Sequence, residues 1–238
     1  MKVSYPYNCA EKSDIPDDAI EHLDEELIDK LGGNFSLLFP RFSEFFSEST
    51  RIIDENWDKP TLVLEKGVRN WLKYILVQSK TKNIFFSLKP KFIEKEGEFF
   101  DEDHEMLPDG WKEIYRWFNA FCITDLDYSP SEWWNTPFRY ESRLDLDDYE
   151  KGSGATRKET DEFSKKIGCD RRYLKCWLLT EVGDALFINE SSCDQKVYHV
   201  KGSFLNDFIE LKDPVKKLDS YLSHLLNEFP LVDFRWRD

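Results

Sequence analysis

A chain of 238 residues that is 40% hydrophobic and 16% aromatic can furnish a substantial core, which excludes disorder of the whole. No window approaches the roughly 18 consecutive apolar residues of a membrane span, and no apolar run of about 7 to 15 residues follows Lys2, so neither a bilayer-crossing segment nor a secretory signal is expected. Thirty-three basic against forty-seven acidic residues give a net charge of −14, which argues against nucleic acid as a ligand, because phosphate binding needs a basic surface that releases counterions.

Ile20, Leu23, Leu27 and Leu31 recur at helical spacing after Pro16 and before Gly32-Gly33, predicting an amphipathic helix over about 17–31 with an acidic outer face. Phe42, Phe45, Phe46, Ile53 and Trp57 suggest a second helix. Leu64, Val68, Trp71, Leu72 and Ile75 suggest a third beyond Lys59-Pro60, so the first third reads as helical. Asn83 to Leu88 is aromatic and branched and reads as a strand stopped by Pro90. Trp111, Ile114, Tyr115 and Phe118 put four large side chains on one helical face after Pro108.

From Thr124 to Tyr149 the pattern is irregular and aromatic. Residues 151–160, with Gly152 and Gly154 and almost no large apolar side chain, read as a mobile loop. Tyr173 to Thr180, Ala185 to Asn189 and Lys196 to Val200 alternate with turns and predict a three-stranded antiparallel meander. Asp213-Pro214 then caps a helix whose buried face is Leu218, Leu222, Leu225 and Phe229. The expected fold is α+β: an antiparallel sheet with helices on one face and a helical N-terminal third. Few Gly or Pro residues set residues 1–80 apart, so 1–238 reads as one domain with a helical extension over 1–80 and a sheet-and-helix core over 83–238.

Motifs for chemistry are sparse. Five cysteines (Cys9, Cys122, Cys169, Cys176 and Cys193) are odd in number and lack a CxxC pair, which fits reduced thiols in a cytoplasm. His22, His104, His199 and His224 stand singly, so no zinc pattern assembles. His22 fits an ion-pair ladder with Asp18 and Glu26, and His199 fits the rim of a strand. Asp125, Asp127 and Asp145 could serve a hard cation or a carboxylate-based hydrolase, but no EF-hand loop, GxSxG, HExxH or phosphate-binding loop accompanies them. Neither cofactor nor metal is expected.

The segment Leu107-Pro108-Asp109-Gly110-Trp111-Lys112-Glu113-Ile114-Tyr115-Arg116-Trp117-Phe118-Asn119 resembles the leucine-proline-led helix, ending in Asn, of the SUKH superfamily, best known for bacterial immunity proteins. Trp177-Leu178-Leu179, Ala185 to Ile188, Val197 to Val200 and the helix through Leu225 look like that family's strand meander and closing helix, so the resemblance covers about 107–229. Ala120 stands where the family usually has Gly. The resemblance implies an α+β scaffold that binds and neutralises toxins, often nucleases, and it carries over no catalytic residues.

Charge patterning points the same way. Acidic residues crowd Asp14 to Asp29, Glu94 to Asp109 and Asp145 to Glu150, surfaces suited to steering a basic protein. The expected partner contacts are Asp101, Glu102 and Asp103, then Asp145, Asp147 and Asp148, with Trp133, Trp134 and Tyr140 as aromatic anchors. The leading expectation is an immunity or antitoxin-like protein that binds a basic toxin. A scaffolding or regulatory interaction domain, and a carboxylate-based hydrolase, are the alternatives.

Overall fold

The computed structural model describes residues 7–66, 71–88, 108–125, 138–139, 144–180, 183–191, 196–202, 204–227 and 234–237. Two antiparallel sheets organise them. The first runs in chain order through β1 (Tyr7–Cys9), β2 (Thr61–Lys66), β3 (Trp71–Gln78), β4 (Lys82–Leu88), β5 (Phe118–Asp125) and β6 (Phe138–Arg139). The second has the order β11 (Phe208–Glu210), β10 (Val197–Val200), β9 (Ala185–Asn189), β8 (Leu174–Leu179) and β7 (Leu144–Asp145). The α+β class and the C-terminal meander are therefore as expected.

Five short helices separate β1 from β2: α1 (Asp17–Ile20), α2 (Glu25–Asp29), α3 (Phe35–Leu38), α4 (Pro40–Phe45) and α5 (Ser47–Asn56). The single helix expected over 17–31 is broken, because Asp24 leaves the helical conformation and its carboxylate accepts the Glu26 N–H, starting α2 afresh. The helix expected around Leu64 to Ile75 is instead the β2–β3 pair, with Val63 opposite Tyr74 and Leu62 opposite Ile75. Both faces of these strands are buried, so their apolar residues follow no two-residue alternation. The first 80 residues thus supply three strands of the first sheet.

One face of that sheet packs on α1 to α5 and on α6 (Asp109–Trp117). Phe35, Phe39, Phe42, Phe86 and Phe118 form its centre, with ring centroids 5.0 Å apart for Phe35–Phe39, 4.8 Å for Phe39–Phe118 and 5.1 Å for Phe86–Phe118. Each buried phenylalanine contributes about 1.5–3 kcal/mol. The same core takes in Leu186, Ile188 and Val197 of the second sheet and Leu218, Leu222 and Leu225 of α9 (Pro214–Leu226). A register shift between Cys176 and Leu178 sets both Trp177 and Leu178 against it.

Helices do not lie on one face only. α7 (Leu146–Ser153) and α8 (Arg157–Ile167) cover the other side of the second sheet, where Tyr149, Phe163 and Phe187 form a separate cluster. The stretch 151–160, expected as a loop, is mostly helix. Thr156 accepts the Glu159 N–H while the Glu159 carboxylate accepts the Thr156 N–H, a capping box that starts α8. Gly154, at φ +76°, closes α7. The helix holding Trp111 ends at Trp117, because Phe118 is already extended and begins β5.

Candidate functional site

The acidic cluster at α7 is satisfied within the chain. Arg171, whose side chain is only 16% exposed, donates to Asp147 and Glu150 and also reaches Asp161 at 3.2 Å. Arg157 adds a second contact to Asp147 at 3.0 Å, Lys151 pairs with Asp148 at 2.7 Å, and Lys175 pairs with Asp145. The Arg171 hydrogen bond holds the Asp147 carboxyl below the usual range. Burial alone would raise Glu150, but hydrogen bonds from Thr160 and Arg171 outweigh it and lower it. Asp145, Asp147 and Asp148 therefore sit together on one edge, each already facing a cation. Arg171 was not singled out from sequence, since a lone arginine among thirty-three basic residues carries no local signal.

Of the other expected contacts, Asp101, Glu102, Asp103, Trp133, Trp134 and Tyr140 lie outside the described residues, as does Asp127. Asp125 ends β5.

The N-terminal acidic face is less compensated. Residues 11–30 carry nine carboxylates and two lysines, a net −7 within the chain's −14. Lys12 pairs with Asp29 at 2.9 Å, Lys30 with Glu26 at 2.6 Å, and Lys66 with Asp18 at 3.0 Å. The lysine beside it holds the Glu26 carboxyl down, and Asp29 holds the Lys12 ammonium up. Asp17 and Glu25 are exposed and make no ion pair among the described residues. The expected His22 ladder is absent: its ring lies 3.5 Å from Glu21, and its carbonyl accepts a 2.6 Å hydrogen bond from the buried Lys73.

Apolar side chains border this face. Ile20 is 38% exposed on α1, and Tyr7, 41% exposed, meets Trp71 edge-on at 5.6 Å. Lys66, paired with Asp18, lies 5.4 Å over the same indole, which joins the aromatic edge to the acidic helices.

A cleft of about 790 Å³ opens where the first turns of α5, α6 and α9 converge. Glu48, Asp109, Lys212 and Lys216 line it together with Lys196, which pairs with Glu210 at 3.2 Å. Its size matches small-molecule sites, roughly 300–1,000 Å³, but its charges are mixed and select no one class of ligand.

His199, expected at a strand rim, is 2% exposed. It shares a face with Val197 towards the main core, stacks on Trp236 at 5.4 Å, and places Nε2 3.5 Å from Asp184 Oδ2. Burial works to raise Asp184, but the His199 contact and the Gly202 N–H outweigh it and lower its carboxyl. Cys9, Cys169 and Cys176 are buried free thiols. Among the described residues no group of three His, Cys, Asp or Glu side chains could hold a metal ion, and no helix is long and apolar enough to cross a membrane.

No family model, no curated protein and no solved structure matches this chain.

Proposed function

We propose that this chain is an acidic protein-binding module of the immunity or antitoxin type, whose partner is a basic protein such as a nuclease toxin. The supporting observation is the charge of residues 11–30: this stretch, which runs through α1 and α2, carries half of the net −14, and exposed Ile20 and Tyr7 lie near it. An acidic face draws a basic partner in by long-range attraction, and neighbouring apolar side chains supply short-range contact once it arrives. A nuclease is a suitable partner because the basic surface that holds its substrate is the surface such a face would cover.

Asp145, Asp147 and Asp148 then act at the margin, since a partner cation must compete with Arg171, Arg157, Lys151 and Lys175. Asp101, Glu102, Asp103, Trp133, Trp134 and Tyr140 complete the proposed contacts. The free thiols of Cys9, Cys169 and Cys176 support a reducing, cytoplasmic setting.

Co-expression with a toxin-like reading frame that neighbours the gene tests the reading. Restored growth with the intact chain, and lost protection when Asp17 and Glu25 are changed to Lys, is the expected result. Protection that survives the charge reversal would assign the interface elsewhere.

A further inference from the structure

Residues 234–237 are fastened to the rest of the described chain by side chains alone. Phe234 rests on Tyr221 at 5.2 Å and on His224 at 5.5 Å, with Lys217 Nζ 5.8 Å over its ring. Trp236 stacks on His199 at 5.4 Å, with the ring planes 20° apart, and lies 4.9 Å from Tyr221. Arg237 donates from one nitrogen to the Asp207 carboxylate and from another to the Asp207 carbonyl. Among the described residues no backbone hydrogen bond joins 234–237 to any helix or strand. Aromatic anchors in a socket with an arginine on a carboxylate are the features by which a bound peptide is held.

The seat is also poised for exchange. Among the described residues His199 Nδ1 has no hydrogen-bond partner, and Nε2 keeps only a long 3.5 Å contact with Asp184. Covering an imidazole in this way works against docking, because water would satisfy Nδ1 once the indole lifts away. Burial of Trp236, which is 3% exposed, works in favour. The seat is built from elements distinct from the segment: β10 carries His199, α9 carries Tyr221 and His224, and Asp184 accepts the Gly202 N–H at 2.8 Å.

We infer that Phe234–Arg237 is an intramolecular ligand, a strap that fills a peptide groove formed by His199, Tyr221, His224 and Asp207. The groove's natural competitor is a protein segment carrying an aromatic residue followed directly by arginine, as Trp236-Arg237 does. This holds whether or not the acidic face binds a toxin, since it concerns a different surface and a ligand the chain carries itself.

The test uses the full chain with Trp236→Ala and Arg237→Ala together, and a fluorescent peptide spanning residues 230–238. A strap present in cis competes at high effective concentration, so the wild-type chain should bind the peptide at least about tenfold more weakly than the double variant. Asp207→Asn in the double variant should lower that binding again. Arg237→Gln alone, which keeps the indole, should fall between wild type and double variant. Equal peptide binding by the wild-type and the folded double variant would overturn the inference. So would loss of the native far-UV spectrum in the double variant, since Trp236 would then be an integral part of the core.

Discussion

Asp219 on α9 caps α5 at Ser49: its Oδ1 accepts the Ser49 N–H at 2.9 Å, and its Oδ2 accepts the Glu48 N–H at 3.1 Å. α5 has no side-chain cap of its own, because Phe46 occupies the capping position. The Ser49 hydroxyl donates back to Asp219 and lies 3.2 Å from the Ser223 hydroxyl, so the contact is buried and fully polar. Asp54 does the same for α3, accepting the Phe35 N–H at 2.8 Å. Short helices that would be marginal alone are thus tied to partners distant in the chain.

Asp219→Ala should cost about 2–3 kcal/mol, since it leaves the Ser49 and Glu48 N–H groups without their cap, while the Ser49 hydroxyl keeps the Asp219 carbonyl at 3.0 Å. Urea unfolding should show a lower midpoint with an unchanged slope. A loss below about 0.5 kcal/mol would mean that other groups replace the cap.

Arg171 sets the acid sensitivity of the α7–α8 face. Asp147 and Glu150 are both lowered in the folded chain, by their hydrogen bonds from Arg171 and, for Glu150, from Thr160 against the opposing effect of burial. A lowered carboxyl stabilises the fold at pH values above its unfolded range, about 4, and that contribution disappears as pH falls through the folded value. Arg171→Met should therefore melt below wild type at pH 7 and pH 5, with the difference shrinking below about pH 4. A difference that is independent of pH would show that Arg171 acts through packing alone.

Gly110 lets α6 approach α9. A Cβ there would come within 2.5 Å of Val215 Cγ1 and 3.2 Å of Phe45 Cβ, in a site where the helices already touch. Gly110→Ala should destabilise by about 1–3 kcal/mol, despite alanine's better helix propensity. The double variant with Val215→Ala should recover most of it, which a thermal-melt cycle would measure.

The thiols give a chemical check on the core. Burial, with Asp14 nearby, pushes Cys9 up to about 11, and burial pushes Cys176 up to about 12. Neither should react with an aromatic disulfide reagent at pH 8 until the chain is unfolded, because only the thiolate attacks. Rapid native-state labelling of either residue, located by peptide mapping, would contradict this packing.

What was legible in sequence is what local chemistry decides. Asp213 accepts the Lys216 N–H and Pro214 takes the first helical position, as the dipeptide suggested, and β9 runs over Ala185–Asn189 between the turns that flank it in sequence. The failures came where tertiary burial overrides periodicity. β2 and β3 are buried on both faces, so Leu64, Trp71 and Ile75 mimic helical spacing. His199 looked peripheral for the same reason, since Val197 to Val200 is buried throughout. The polar run 151–160 concealed two helices that bury few residues, although Thr156 and Glu159 stood at capping-box spacing. Of the candidate site, the charge could be read but not its compensation. Arg171 reaches Asp147 from 24 positions away, and no local pattern encodes that pairing.

Graded-salt capture asks whether the acidic surface over residues 11–30 attracts a basic protein. Tagged wild-type chain and a chain carrying Asp17→Lys with Glu25→Lys, two reversals that move the net charge from −14 to −10, would be exposed to the native proteome at low and high ionic strength. The wild type should retain one basic, toxin-like protein at low salt and release it as salt rises, and the reversed chain should retain little of it at any salt. Equal retention by both chains, or a partner indifferent to salt, would mean that this acidic surface does not draw the partner in.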